Sequence, residues 1–186
     1  MKDIILASAS PRRKILLEEA GLKFKIVESG IKEYLDPKSE PHALAEKLSL
    51  EKAKAVFINN KDSIIIAADT IIVCDKKILG KPKDENDAKK MLEFLSGKIH
   101  LIITGFTIID GNNVITESEE TKVEMKKINE KEIETYIRTG EPFGKAGAYA
   151  IQGIAKKFIK KVDGDLFNAI GLPVIALLKE LKKLDV

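Results

Sequence analysis

Apolar positions along the chain change period several times, and each change marks an element. The short β-rich run "DIILAS" (3–8) is followed by Ser10-Pro11, an N-cap residue and then the residue favoured at the first helical position. The helix opened there runs through "RRKILLEEA" and stops at Gly21. A short strand is expected over "KFKIVES" (23–29), then a loop "GIKEYLDPKSEP", then a helix to about Asn59 with apolar residues at 44, 45, 48, 55 and 56. "SIIIAADTIIVCD" (63–75) is too apolar and β-branched for a surface strand, so it belongs at the centre of a sheet.

A loop "KKILGKPKD" (76–84) leads into a helix over "ENDAKKMLEFLS", ended by Gly97. Alternating runs at 100–110 and 114–128 meet at Gly111-Asn112-Asn113 and read as a hairpin. Asn129 with Glu132 forms a capping box for a helix over "EKEIETYIRT". There follow a glycine-rich loop "GEPFGKAGAYAIQG" (140–153), a strand "KKFIKKV", a turn at "DGD" and a last helix opening near Pro173. No repeat, low-complexity tract or linker interrupts this order. The reading is one α/β domain over residues 1–186, with parallel and antiparallel pairs.

Composition narrows the function classes. A 44% hydrophobic and 33% charged chain is an ordinary globular one, and its formal charge of +3 comes from lysines interspersed with glutamates. That pattern is a solvated face, so no stable nucleic-acid partner is expected. The basic run "KKFIKK" (156–161) reads as an edge strand guarded by lysines. Cys74 is the one cysteine, which excludes an intrachain disulfide and a Cys/His metal cluster. His42 and His100 stand apart from each other and from any acidic motif, and are read as structural or surface residues. The apolar core of the N-terminus is too short for a secretory signal, and no run approaches a membrane span. A cytoplasmic protein is expected.

Arginine is scarce: of the 32 basic residues only Arg12, Arg13 and Arg138 are arginines. Two of these lie in the first turn of the first helix, where the macrodipole disfavours cations. They make sense if a phosphate lies between their guanidiniums and the helix amides, with Ser8 and Ser10 adding hydroxyls. A plain Ser-Pro cap with solvent-facing arginines is the alternative. Asp69, inside "IIIAADTIIV", is a carboxylate in apolar sequence that must be paired, metal-bound or at a cleft, or else sit in a strand-end turn with Thr70. Lys52 falls within the apolar stripe of its helix and either snorkels or meets a buried anion. Lys81 and Lys83 flank Pro82 in the loop after the Asp69 strand. Gln152 places an amide, donor and acceptor at once, in apolar sequence. Together these suit a polyphosphate with a divalent metal and a hydrogen-bonding base.

Several short motifs then fall in one order: "LASASPRRK", "EKA" (51–53), "AADT" (67–70), "GKP" (80–82), "LSGK" (95–98), "TG" (104–105), "GEP…KAGAYAIQG" (140–153) and "GLP" (171–173). In these the chain resembles the Maf family of house-cleaning nucleoside triphosphate pyrophosphatases. The resemblance implies an inosine triphosphatase-like fold, a mixed twisted sheet with helices around a deep cleft. It implies Asp69 as catalytic acceptor, Ser8, Arg12, Arg13, Lys52 and Lys81 as phosphate-handling residues, and Glu33 and Gln152 in the cleft. Arg12, Thr70 and Gln152 match its specificity positions and resemble the branch acting on dTTP and UTP. Mg²⁺ or Mn²⁺ is the implied cofactor, with Asp69 and Glu33 as ligands, although "GIKEY" carries a lysine where many relatives have a second acid. A homodimer is left open. The rival readings are a non-catalytic nucleotide or nucleic-acid binder regulating division, and a pyrophosphatase for another modified nucleotide.

Overall fold

The computed structural model describes residues 2–184. In chain order the elements are β1 (Ile4–Leu6), α1 (Pro11–Glu19), β2 (Lys25–Ile26), α2 (Pro41–Phe57), β3 (Ile64–Cys74), β4 (Lys77–Leu79) and α3 (Glu85–Leu95). They continue with β5 (Ile99–Asp110), β6 (Asn113–Met125), α4 (Glu130–Ile137), β7 (Ile159–Asp163), α5 (Leu166–Ile170) and α6 (Val174–Lys182). The seven strands form one mixed sheet in the order β2-β1-β3-β5-β6-β7, with β4 added beside β3. The apolar run is its centre, as the pattern predicts. β1 is parallel to β2 and β3, and the other pairs are antiparallel.

The period of two along β3 sorts its side chains onto two faces. Ile65, Ala67 and Ile71 pack under α2, against Ala53 and Val56 at one end and Leu44, Ala45 and Leu48 at the other. The opposite face is shared by two groups of helices. Ile64, Ile66 and Ala68 pack on Leu16 and Leu17 of α1 and Leu177 and Leu181 of α6. Ile72 and Cys74 pack on Leu92 and Leu95 of α3 and Ile133 and Tyr136 of α4. Thr70 lies between the two groups.

Pairing leaves β3 open at the same place. β5 pairs with it from Ile64 to Val73. On its other side β1 pairs only as far as Ile66, and β4 begins only at Ile72. The strand edge between them, residues 67–71, faces loops and no strand. Asp69 is therefore in mid-strand, not at a strand end, and its access comes from this break in pairing. A crevice beyond the carboxyl end of a short parallel strand is where α/β sheets place ligands.

Gly105 decides how closely α2 lies on the sheet. It is the register partner of Asp69, and a Cβ placed on it would stand 2.3 Å from the backbone carbonyl of Ala45. Only a bare backbone fits there, and the close approach brings Lys52, two turns further along α2, down onto the sheet.

The structure departs from the sequence reading at short elements. β4 forms inside the expected loop 76–84, and α5 forms between the expected turn at 163–165 and the last helix, where no element was expected. α5 has five residues, too few to show a helical period, and is capped by Asp165, which accepts from the Phe167 N–H at 2.8 Å. The strand expected at 23–29 keeps two residues, and β7 starts at Ile159 after a 3-10 turn over Ile154–Phe158. β7 is an edge strand with Lys160 and Lys161 exposed. The capping box forms as read, Glu132 N–H donating to Asn129 and Asn129 N–H to Glu132. His100 is buried and structural: its Nε2 lies 2.6 Å from the Tyr149 hydroxyl, and burial holds its pKa at about 4.

Gly105→Ala should lower folding stability by at least about 1–3 kcal/mol, the range for overpacking a filled interior. Urea unfolding should show a lower midpoint with an unchanged slope. A wild-type midpoint would mean that α2 backs away from the sheet at no cost.

Candidate functional site

Ser10 stands at the N-cap of α1 with Pro11 behind it, but its hydroxyl makes no capping bond. That corrects the expectation of a side-chain cap. The hydroxyl is left to the cleft, and the Ser10 N–H instead donates to Ser8 Oγ at 3.2 Å.

Arg13 is not solvent-facing. Its Nε donates to the Gly171 carbonyl at 2.7 Å, Nη1 to Ser8 Oγ at 3.2 Å and Nη2 to Thr70 Oγ1 at 3.0 Å. One N–H of each Nη is left over by these bonds. The fork is held rigidly while it keeps two donors in reserve, which lysine could not do. Arg12 is half-buried at the rim. Burial, then the neighbouring Arg13, push its pKa below the ordinary guanidinium value, against the opposing pull of Glu141.

Lys52 does not snorkel. Its ammonium is buried and bonded to the Asp69 carboxylate, and it donates to Glu33 Oε1 at 2.8 Å. Lys81 reaches the same Glu33 at 2.7 and 2.9 Å. Two carboxylates and two ammoniums thus alternate along the open edge of β3. Burial pushes the Asp69 pKa up, and nearby Glu33 pushes the same way, against Lys52 and Arg13. Burial also works against charge on Glu33, but its pairing with Lys52 and Lys81 prevails and lowers the pKa to about 2. The two acids are therefore held apart in proton affinity, which is how one site keeps a fixed charge beside a titratable one.

These groups line a cleft of about 670 Å³. Ser8, Ser10, Arg12, Arg13, Glu33, Lys52, Asp69, Thr70 and Lys81 all contribute to its wall. One end is charged. The other is apolar, with Ile72 and Ile102 as floor and Tyr149, Ile151, Ala169 and Ile170 around it. Gln152, placed in the cleft by the resemblance, is not among the residues that form this wall. Ala150–Gly153 is a tight turn closed by the Gly153 N–H donating to the Ala150 carbonyl at 3.0 Å. Ile151 takes the inward position of that turn, which leaves the Gln152 side chain exposed at its tip.

Residues that the sequence reading passed over complete the site. Lys145 and Phe143 come from the glycine-rich loop, and Gly171 supplies the carbonyl that holds Arg13. Thr104 stands behind Thr70, its Oγ1 at 2.9 Å from that of Thr70. A threonine on the inward phase of an otherwise apolar strand was the signal available for it.

Comparison with known proteins agrees with this arrangement. A family model described as Maf-like protein matches residues 3–184. A protein of Bacillus cereus named dTTP/UTP pyrophosphatase is 46% identical over 186 residues, covering 100% of this chain and 97% of its own. A protein of the same name from Bacillus thuringiensis subsp. konkukian is 44% identical over the same span, again with 97% of its own length covered. Among solved structures the Staphylococcus aureus Ham1 protein superposes with a TM-score of 0.52 at 12% identity, each chain covered in full. That likeness is one of fold, and it bears out the inosine triphosphatase-like architecture.

Lys52→Met should leave Asp69 buried without its nearest cation and cost about 3–5 kcal/mol of stability at neutral pH. The deficit should shrink on acidification, because a proton on Asp69 removes the charge that burial penalises. A Lys52→Met/Asp69→Asn double variant should recover most of the loss at pH 7. Additive losses in urea unfolding would show that the two groups do not pair.

Proposed function

Because the chain belongs to the Maf family, we propose that it hydrolyses dTTP and UTP to the nucleoside monophosphate and pyrophosphate. The observation that carries this reading is a buried carboxylate, Asp69, on a cation-rich wall that continues into an apolar floor. A nucleoside triphosphate has the same two ends. Arg12, Arg13 and Lys81 meet the phosphates, and Ile72, Ile102 and Tyr149 meet the base.

In the reaction the oxygen of a water bonds to the α-phosphorus and the bond to the α–β bridging oxygen breaks. Pyrophosphate leaves with that oxygen, and the proton of the water passes to Asp69. Asp69, buried at the open edge of β3, is the carboxylate placed to take that proton. Arg13 spreads no further on binding, since its guanidinium is already fixed by three partners; its remaining donors are preset for charge that grows on the phosphate oxygens.

A divalent cation, Mg²⁺ or Mn²⁺, is part of this proposal. Glu33 and Asp69 fit it because a single ammonium, that of Lys52, already touches both carboxylates. Among the described residues no group of three His, Cys, Asp or Glu converges. Phosphate oxygens and water would therefore complete the shell, as is usual for Mg²⁺. When bound, the ion supplies charge neutralisation between carboxylates and phosphates. With such an ion in place Asp69 would keep a cationic neighbour, and the Lys52 ammonium would be available to the phosphates. Among the described residues no helix is long and apolar enough to cross a membrane, and a cytoplasmic setting is part of the same proposal.

Turnover of dTTP or UTP in oxygen-18 water, followed by phosphorus NMR, should give pyrophosphate and a labelled monophosphate, and chelation should stop it. Orthophosphate with a nucleoside diphosphate would refute the assigned bond. Asp69→Asn should fold and lower turnover by about 10²-fold or more. Undiminished turnover would return Asp69 to a structural role.

A further inference from the structure

Two hydroxyls lie at the apolar floor of the cleft, Thr70 on its wall and Thr104 behind it, and the bonds around them favour one polarity. Thr70 and Thr104 are register partners on β3 and β5, on the same face as the partners Ile72 and Ile102. Thr104 is fully buried. Its Oγ1 lies 2.9 Å from Thr70 Oγ1 and 3.1 Å from the Asn168 carbonyl oxygen. Thr70 Oγ1 lies in turn 3.0 Å from Arg13 Nη2 and 3.5 Å from the Gly171 carbonyl.

A guanidinium only donates and a carbonyl only accepts, while each hydroxyl has one hydrogen. If Thr70 donates to Thr104 and Thr104 to Asn168, both hydrogens are used at 3.1 Å or less. If Thr104 donates to Thr70, the Thr70 hydrogen is left with the Gly171 carbonyl at 3.5 Å, while the Asn168 carbonyl keeps only the Gly171 N–H at 2.9 Å. The first arrangement keeps both hydrogens in bonds of ordinary length and is the one a dry interior favours. Asn168 is held firmly enough to set it. Its Nδ2 donates to the Ile102 carbonyl at 3.2 Å and to Thr121 Oγ1 at 2.9 Å, and Thr121 donates to the Asp165 carbonyl at 2.7 Å.

We propose that Thr104 is a positioning residue that fixes the Thr70 hydroxyl as an acceptor towards the cleft, so that the site selects a pyrimidine carrying a ring N–H over cytosine. With its hydrogen given to Thr104 and one lone pair taken by Arg13, Thr70 has a single lone pair left for a ligand. Uracil and thymine present N3–H to such a group. Cytosine presents a lone pair at N3 and meets it with like polarity. The inference rests on the dTTP/UTP reading and adds the group that makes the choice.

The test compares kcat/KM for UTP and CTP in wild type, Thr104→Val and Thr104→Ser. Valine fills the same volume without the hydroxyl, so the freed Thr70 hydrogen can turn to the cleft. The UTP/CTP ratio should fall at least about 10-fold in Thr104→Val, the scale of one mismatched buried polar contact. Thr104→Ser should restore it, and thermal unfolding of the variants should not follow the ratio. Thr104→Ala serves the same purpose should the valine variant not fold. A ratio unchanged on loss of the hydroxyl, with wild type still hydrolysing dTTP and UTP, overturns the role of Thr104 alone. Wild-type failure on both substrates overturns this inference together with the reading beneath it.

Discussion

A carboxylate buried in the middle of an apolar strand is the constraint that organises this molecule. Asp69 is 3% exposed, and its charge is tolerable only because the Lys52 ammonium is brought to it. That requirement fixes the distance between α2 and the sheet, and Gly105 permits the distance by offering no side chain beneath Ala45. The same ammonium draws in Glu33 from the long loop before α2, and Glu33 draws in Lys81 from the loop after β4. Two loops and a helix are thus placed by one charge.

The break in strand pairing makes that charge useful as well as costly. Were β1 four or five residues longer, it would pair over Ala67–Ile71 and seal the edge at which Asp69 is reached. The chain instead leaves β1 at Leu6 and turns through Ser8 and Ser10 into α1, so polar groups line the edge where a strand would have run. β3 then divides labour between its faces. Asp69, on the α2 side, meets the cations; Thr70, one residue on, points to the side of Ile72 and the apolar floor. One dipeptide thereby faces both ends of the cleft.

Much of this was legible in the sequence because the anomalies were chemical. An aspartate among isoleucines, a lysine in an apolar stripe and paired arginines behind a Ser-Pro each violate a local rule, and each proves to be in the cleft. Central placement of β3, the hairpin and the capping box followed from period and turn chemistry. What escaped was short or satisfied at long range. β4 and α5 are too brief to carry a period, and Gly171 contributes only a carbonyl, which no side chain announces. Gln152, placed in the cleft by the resemblance, stands exposed at the tip of a tight turn whose inward position Ile151 takes. Thr104 broke its strand's apolar phase quietly, as a residue that looks at home in any strand.

The components of the cleft come from nearly the whole length of the chain, and this has a consequence for when the site exists. Arg13 is held by a carbonyl 158 residues away in sequence. Lys52 meets Asp69 across 17 residues, and Glu33 meets Lys81 across 48. Closing such loops is an entropic cost met by the folded sheet and its helices, since the contacts themselves are polar and gain little over water. A partly folded chain, with α5 and α6 undocked, would lack the Gly171 carbonyl and leave the Arg13 guanidinium free to wander. The free donors of that guanidinium are therefore preset only in the native state. Ligand binding and global folding draw on the same contacts, and an anion that fits the cleft must stabilise both ends of the chain at once.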